Sequence, residues 1–268
     1  MSEVAPGSSP RKLPLRQILL GAFVLPWRNR VAVMRATSLP LLFLVAAQLW
    51  WHASSYGESE AVVWVAWATF VLFVAWIAIT VHRLVLANGW MPRSAFAELG
   101  FRRFAFFVGA LVFLWALYQA VTLVVMGLLL NVVYPPRFVP AGEVAPADPM
   151  DAMHLAVLGF IAAILAYWLI GRISLILPAI AIDLKPSVAS AWRSARGNAW
   201  KIAIVVGALP WVLEQLTFAL WRENATAIEI ASLGGLTGVC VIIQVVALSL
   251  CYFELTRASA PPPTHPPG

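Results

Sequence analysis

The chain alternates between long apolar runs and short polar segments that gather nearly all of its basic residues. Six apolar runs stand out, at residues 31–51, 61–86, 105–133, 154–176, 202–221 and 230–253. About twenty helical residues, rising 1.5 Å each, cover the roughly 30 Å hydrocarbon core of a bilayer, so each run predicts a membrane-crossing helix. Residues 15–29 follow another pattern. Leu15, Ile18, Leu19, Ala22 and Phe23 recur at i, i+3, i+4, i+7 and i+8, and Trp27, Arg28 and Arg30 follow, which predicts a helix lying in the interface. Short interfacial helices are also predicted at 93–103 and after Pro186. In the latter, Val188, Ala191, Trp192, Ala195 and Ala199 form an apolar stripe, with Arg193 and Arg196 off it. Pro186 and Ser187 suit that helix start.

The expected fold is an all-α integral membrane bundle: six transmembrane helices and three short cytoplasmic interfacial helices in one domain spanning residues 15–257. Segments 1–14 and 258–268 read as disordered, and the proline-rich connection 134–153 as an extended surface loop. The first apolar segment is interrupted by Arg28, Asn29 and Arg30 and lacks a small-residue cleavage site, so it reads as a retained helix rather than a signal peptide.

The three interfacial segments align as a weak threefold repeat of interfacial helix plus hairpin. Ala22, Phe23 and Asn29 match Ala191, Trp192 and Asn198, and Pro40 matches Pro210 one residue out of step. The middle copy, with Ala95 and Phe96, has Arg102 in place of the Asn. All copies share one orientation, unlike the inverted repeats of many secondary transporters.

Composition supports the membrane reading: 62% of residues are hydrophobic and 11% charged, where soluble domains carry about a quarter charged. The net charge of +6 would suit nucleic acid, but the basic residues flank apolar runs and so point to anionic lipid headgroups. Placing the amino terminus, the second and fourth connections and the carboxyl terminus on one side puts all eighteen Lys and Arg there except Arg137 and Arg222. The opposite connections hold seven acids, among them Glu58, Glu143 and Glu223. By the positive-inside rule both termini are cytoplasmic. Tryptophans near predicted span ends (Trp27, Trp50, Trp51, Trp90, Trp200, Trp221) fit interfacial belts. Cys240 and Cys251 are about 16 Å apart along one helix, too far for a disulfide, and read as core residues. No metal-ligand spacing or phosphate-binding glycine loop appears, so no metal or cofactor is expected.

Two places could carry chemistry. Glu214, with Gln215 beside it, is the one clearly charged residue well inside a span. A carboxylate near a span centre costs about 2.5–3.5 kcal/mol against the roughly 3–6 kcal/mol that ten strongly apolar residues supply, so Glu214 should face the bundle interior. It is a candidate proton or cation site; the plainer reading is a structural hydrogen bond to Gln119, Gln244 or Thr217. The second place is the predicted cytoplasmic interface, where His82, Arg83, Arg172, Arg193, Arg196 and Lys201 are candidate lipid-headgroup contacts. The plainer reading there is topology and nonspecific attraction worth about 1 kcal/mol per basic residue. Asp183 could pair with Arg172 or cap the following helix. In the last span Gly234 with Gly238, and Ala231 with Gly235, have the small-xxx-small spacing of closely packed helices, within the bundle ahead of dimerisation.

Residues 172–198, RISLILPAIAIDLKPSVASAWRSARGN, resemble the Arg-x-Ser-Leu-x-Leu-Pro-Ala, Asp, Ala-Trp, Arg-Gly-Asn signature of a broad group of bacterial six-helix inner-membrane proteins. The group includes YciC-like proteins and the membrane domain joined to some glycerophosphodiester phosphodiesterases. The segment VHRLVLANG is similar to the group's His-Arg-x-x-Leu element. The resemblance implies a bacterial inner-membrane bundle, for most members without known activity. With no soluble domain or metal-binding carboxylate cluster in this chain, the phosphodiesterase chemistry is not carried over. The expectation is a non-enzymatic membrane component, structural or binding lipid or a membrane-protein partner, with a small-solute or lipid transporter using a cavity near Glu214 as the rival.

Overall fold

The computed structural model describes residues 12–54, 60–86, 100–133, 149–185, 187–220 and 226–257. Among them every regular element is a helix. Helix α1 (Leu15–Arg28) runs through Asn29 into α2 (Arg30–Ser54); then come α3 (Glu60–Leu86), α4 (Phe101–Val133), α5 (Pro149–Ser174) and the short α6 (Ile176–Ala181). The chain continues through α7 (Val188–Ser194), α8 (Ala199–Ala203), a π-turn (Ile204–Ala208), α9 (Leu209–Ala219) and α10 (Ala227–Arg257). Six stretches are long and apolar enough to cross a membrane: Arg30–Ala53, Glu60–Leu86, Phe101–Val132, Val157–Ala181, Ala199–Thr217 and Ala227–Thr256. The protein is thus an all-α, multi-pass membrane bundle.

Local chemistry explains the breaks. Asn29 closes α1 by donating its side-chain amide to Leu25 O (2.9 Å), while its own carbonyl accepts from Val33 and starts α2. Ser187 caps α7, its Oγ accepting from Ser190 N. Pro210 lacks an N–H and would press its ring on the carbonyl of Val206; the ladder widens into the π-turn immediately before it. Helix α5 starts at Pro149, a residue suited to a first helical position, so residues 149–153, expected as loop, are helical. The rest of the proline-rich connection, and Pro186 at the expected helix start, lie outside the described residues. So does most of the interfacial helix expected at 93–103, whose last residues belong to α4.

The helices form two groups. In one, α2, α3 and α10 pack on each other with α1 along α10; in the other, α5 packs on α4, α7, α8 and the π-turn. The groups join where α3 meets α4 and α6, and where α9 meets α10. Buried side chains collect toward the basic end. On α3 they run almost without break from Ala75 to Leu84 but include only Ala66 before that; α6 is buried throughout; on α10 they are densest at Val245–Ser249, Cys251 and Leu255, while Leu158, Ala162, Ala166 and Ile170 on α5 and Ile230, Leu233, Cys240 and Ile242 on α10 form sparser buried stripes along the helices. Away from that end the groups separate. Helix α4 buries only Phe107 and Leu114, and its Leu123, Val124, Leu128 and Val132 lie on the outer surface, a position that costs nothing against hydrocarbon.

The small residues of α10 pack inside the bundle. A Cβ at Gly234 would sit 3.1 Å from the Val45 Cα of α2, and one at Gly238 would strike Leu41. Gly235 faces open space, so the second small pair takes no part in this packing. In the outer repeat copies, Ala22 and Ala191 are both buried, Phe23 and Trp192 both exposed, and Asn29 and Asn198 both mark the passage from interfacial helix to span. Phe23 on α1, and Val188 and Trp192 on α7, are exposed rather than packed in the bundle core. The cysteines are free and buried.

Candidate functional site

The basic end is organised by the chain reversal after α6. Leu184 N donates to Ala179 O (3.0 Å) and Asp183 N to Ile180 O (3.2 Å), the paired bonds of a Schellman motif. The residue such a motif holds left-handed is usually glycine; here it is Asp183, at φ 67°. Its carboxylate sits between two helices: Oδ1 is 2.7 Å from Arg103 of α4 and Oδ2 is 3.5 Å from Arg83 of α3. Arg83, almost fully buried, also donates to Ala181 O (3.3 Å). Asp183 thus neither pairs with Arg172 nor caps α7, the two roles expected of it. It ties α3, α4 and α6 together.

Beside this junction His82 is buried, with Nδ1 2.7 Å from Ser249 Oγ and its ring against Phe107. Ser249 gives its single proton to Val245 O (2.8 Å), so it accepts from His82, and Nδ1 carries the imidazole proton. His82 and Arg83 were expected at the membrane surface as headgroup contacts; both belong to the packed interior, because α3 continues its buried face through this turn. Lys201 is also engaged. Its Nζ donates to Leu13 O (2.6 Å), and Asn198 Oδ1 accepts from Leu13 N (2.8 Å). Leu13, assigned by its polar neighbours to a disordered leader, is buried and held at both backbone groups.

Arg172 differs. Its guanidinium lies between two indoles, 4.0 Å from the ring centroid of Trp168 and 4.5 Å from that of Trp192. Trp168 is one turn back on α5 and Trp192 comes from α7, so the clamp depends on α7 packing against α5. Two rings lie against the cation, and its Nε is buried without a hydrogen-bond partner among the described residues. No hydrogen bond or ion pair joins this guanidinium to another described residue. Arg193, whose Nε donates to Ala189 O (3.3 Å), and Arg196 are exposed nearby in sequence.

A second feature lies between the two helix groups: a cavity of about 840 Å³. Helices α3 and α10 supply one wall, α4 and α5 the other, and α9 closes a side. Most of the lining is apolar. Polar groups enter chiefly from α9 and α10, as Glu214, Gln215, Thr217, Thr237 and Gln244, while His82 lies at the basic end of the cavity. Two aromatic pairs border it: Trp67 with Trp115 (ring centroids 4.9 Å apart) and Tyr118 with Tyr167 (4.7 Å). Tyr167 lies directly against the Gly207 backbone, where a Cβ would strike its ring. Thr217, an expected partner for Glu214, gives its hydroxyl proton to Leu213 O (2.9 Å) instead. Among the described residues no cation pairs with Glu214, and no group of three His, Cys, Asp or Glu is placed to hold a metal.

The chain matches no protein family, no characterised protein and no solved structure. The site therefore rests on its own geometry. Sequence reasoning placed Arg172, Glu214 and Gln215 at suitable levels but missed Arg103, Asn198, Ser249 and the tyrosine pair as working parts. Asn198 carried a signal, its match to Asn29; the others carried none, because their partners lie far away in the chain.

Proposed function

We propose that this is a lipid-binding component of a bacterial inner membrane, with its basic end in the cytosol and an anionic phosphate headgroup held at Arg172. The observation that carries this reading is the guanidinium of Arg172, held against Trp168 and Trp192 with no acceptor for its N–H groups among the described residues. Contact with two rings restrains the cation, and a planar fork of donors suits a phosphate far better than a point charge does. Exposed Arg193 and Arg196 would add attraction of about 1 kcal/mol each toward an anionic surface. The one-sided distribution of Lys and Arg supports the orientation, and the resemblance of residues 172–198 to bacterial inner-membrane proteins supports the location.

Native mass spectrometry of the protein extracted with its lipids tests the reading. Wild type should retain an anionic phospholipid. Arg172→Ala should lose it, and Arg172→Lys should lose most of it, since Lys keeps the charge but not the stacked plane. Arg196→Ala should have the smaller effect. Equal retention in all four proteins would refute the assignment. A second reading, movement of a small solute or lipid through the interhelical cavity, draws on the presence of Glu214 there, and requires the packed basic end to open.

A further inference from the structure

The cavity between the helix groups is a separate feature from the Arg172 clamp, and its chemistry is of the opposite sign. We infer that it binds a lipophilic organic cation: an apolar, preferably aromatic body carrying one ammonium-type or phosphonium-type positive charge. Three observations lead there.

The first is charge. Glu214 lines the cavity, and among the described residues no lysine or arginine lines it and no cation pairs with Glu214. Glu214 is exposed where it lines this largely apolar, half-open cavity; a carboxylate without a counter-charge at that depth is costly against hydrocarbon, and a ligand that brings the missing charge recovers part of that cost. An anionic amphiphile would add to it. The second is the lining. Trp67 with Trp115, and Tyr118 with Tyr167, present ring faces and edges in the same enclosure, the surfaces that attract an organic cation once it is stripped of water. A neutral hydrocarbon chain would use the apolar walls but not Glu214. The third is size and polarity along the axis. About 840 Å³ lies within the roughly 300–1,000 Å³ typical of small-molecule sites. The lining extends along α3 from Trp67 to His82, about 22 Å of helix. Glu214, Gln215, Thr217 and Thr237 belong to the half away from the basic end, while Ala78, Leu177 and Leu248 line the other. The charged head of the ligand therefore sits beside Glu214, and its apolar body extends toward the basic end. Gly207 shapes the wall by letting Tyr167 lie flat on the π-turn.

Tetraphenylphosphonium and tetraphenylborate make the test, since they are nearly alike in shape and opposite in charge. The full chain is reconstituted in phosphatidylcholine nanodiscs, and each ion is titrated by calorimetry and by quenching of tryptophan fluorescence, with empty discs subtracted. The phosphonium should bind saturably at one site and the borate should not exceed empty discs. Glu214→Gln should weaken phosphonium binding at least about tenfold with an unchanged melting profile. Val71→Trp, which fills the cavity from α3, should abolish it. Equal binding of both ions, no phosphonium binding above empty discs, or an undiminished affinity in a folded Glu214→Gln protein would each overturn the inference.

Discussion

Replacing Asp183 separates two effects that its position combines. The carboxylate holds a cation on each of two helices, and the backbone is left-handed at φ 67°. Asn tolerates that conformation and removes only the charge, whereas Ala removes the charge and adds the left-handed penalty of about 1 kcal/mol. Breaking a fully buried ion pair costs about 3–5 kcal/mol, and an exposed pair is worth about 0–1 kcal/mol. Here the Arg83 side chain is 8% exposed and the Asp183 side chain 34%, so solvent reaches the anion but scarcely the cation. Arg103 is half exposed and contributes little, and Arg83 keeps its bond to Ala181 O. An intermediate value of about 2 kcal/mol follows for Asp183→Asn, and about 3 kcal/mol for Asp183→Ala. Unfolding in mixed micelles of dodecyl maltoside and increasing dodecyl sulfate, followed by tryptophan fluorescence, gives both values by linear extrapolation. An Asn variant as stable as wild type would refute the electrostatic argument. Asn and Ala variants of equal stability would refute the backbone argument.

Two further outcomes follow from the packing. Gly234→Ala should destabilise by about 1–3 kcal/mol, because its new methyl meets the Val45 backbone at 3.1 Å, whereas Gly235→Ala, next to open space, should be neutral or slightly stabilising in the same assay. The reverse order would place the close helix contact on the other face of α10. Asn198→Ala removes the acceptor for Leu13 N and should raise the population with a loose amino-terminal segment about fivefold, from the loss of about 1 kcal/mol. Trypsin cleavage after exposed Lys12 reports it, since the scissile bond ends at Leu13 N. On the proposed orientation, that cleavage should occur in inverted vesicles and not in spheroplasts; cleavage in spheroplasts would reverse it.

The periodicity and composition of this chain determine that it crosses a bilayer six times as helices. Hydrocarbon allows no unsatisfied backbone, so any apolar run of twenty residues has essentially one solution, and that solution is local. The breaks are local too, set by Asn29, Ser187 and Pro210. The one-sided placement of Lys and Arg needs no tertiary information either. What a side chain does within the bundle was another matter. His82 and Arg83 look identical in the sequence to surface groups at a span end, yet packing of α3 against α6 and α10 buries them. Lys201 looks like a headgroup ligand, yet a carbonyl 188 residues away takes one of its three proton donors and holds the side chain. Arg172 and Arg193 are equally basic; Trp168 is a local neighbour of the first on α5, and only the meeting of α5 with α7 brings the second indole, Trp192, against it. The cavity arises because the two helix groups pack tightly at one end and separate at the other. Inside a bilayer the hydrophobic effect distinguishes little between helix and lipid, so which faces meet is decided by close steric fit and a few polar contacts between residues distant in the chain.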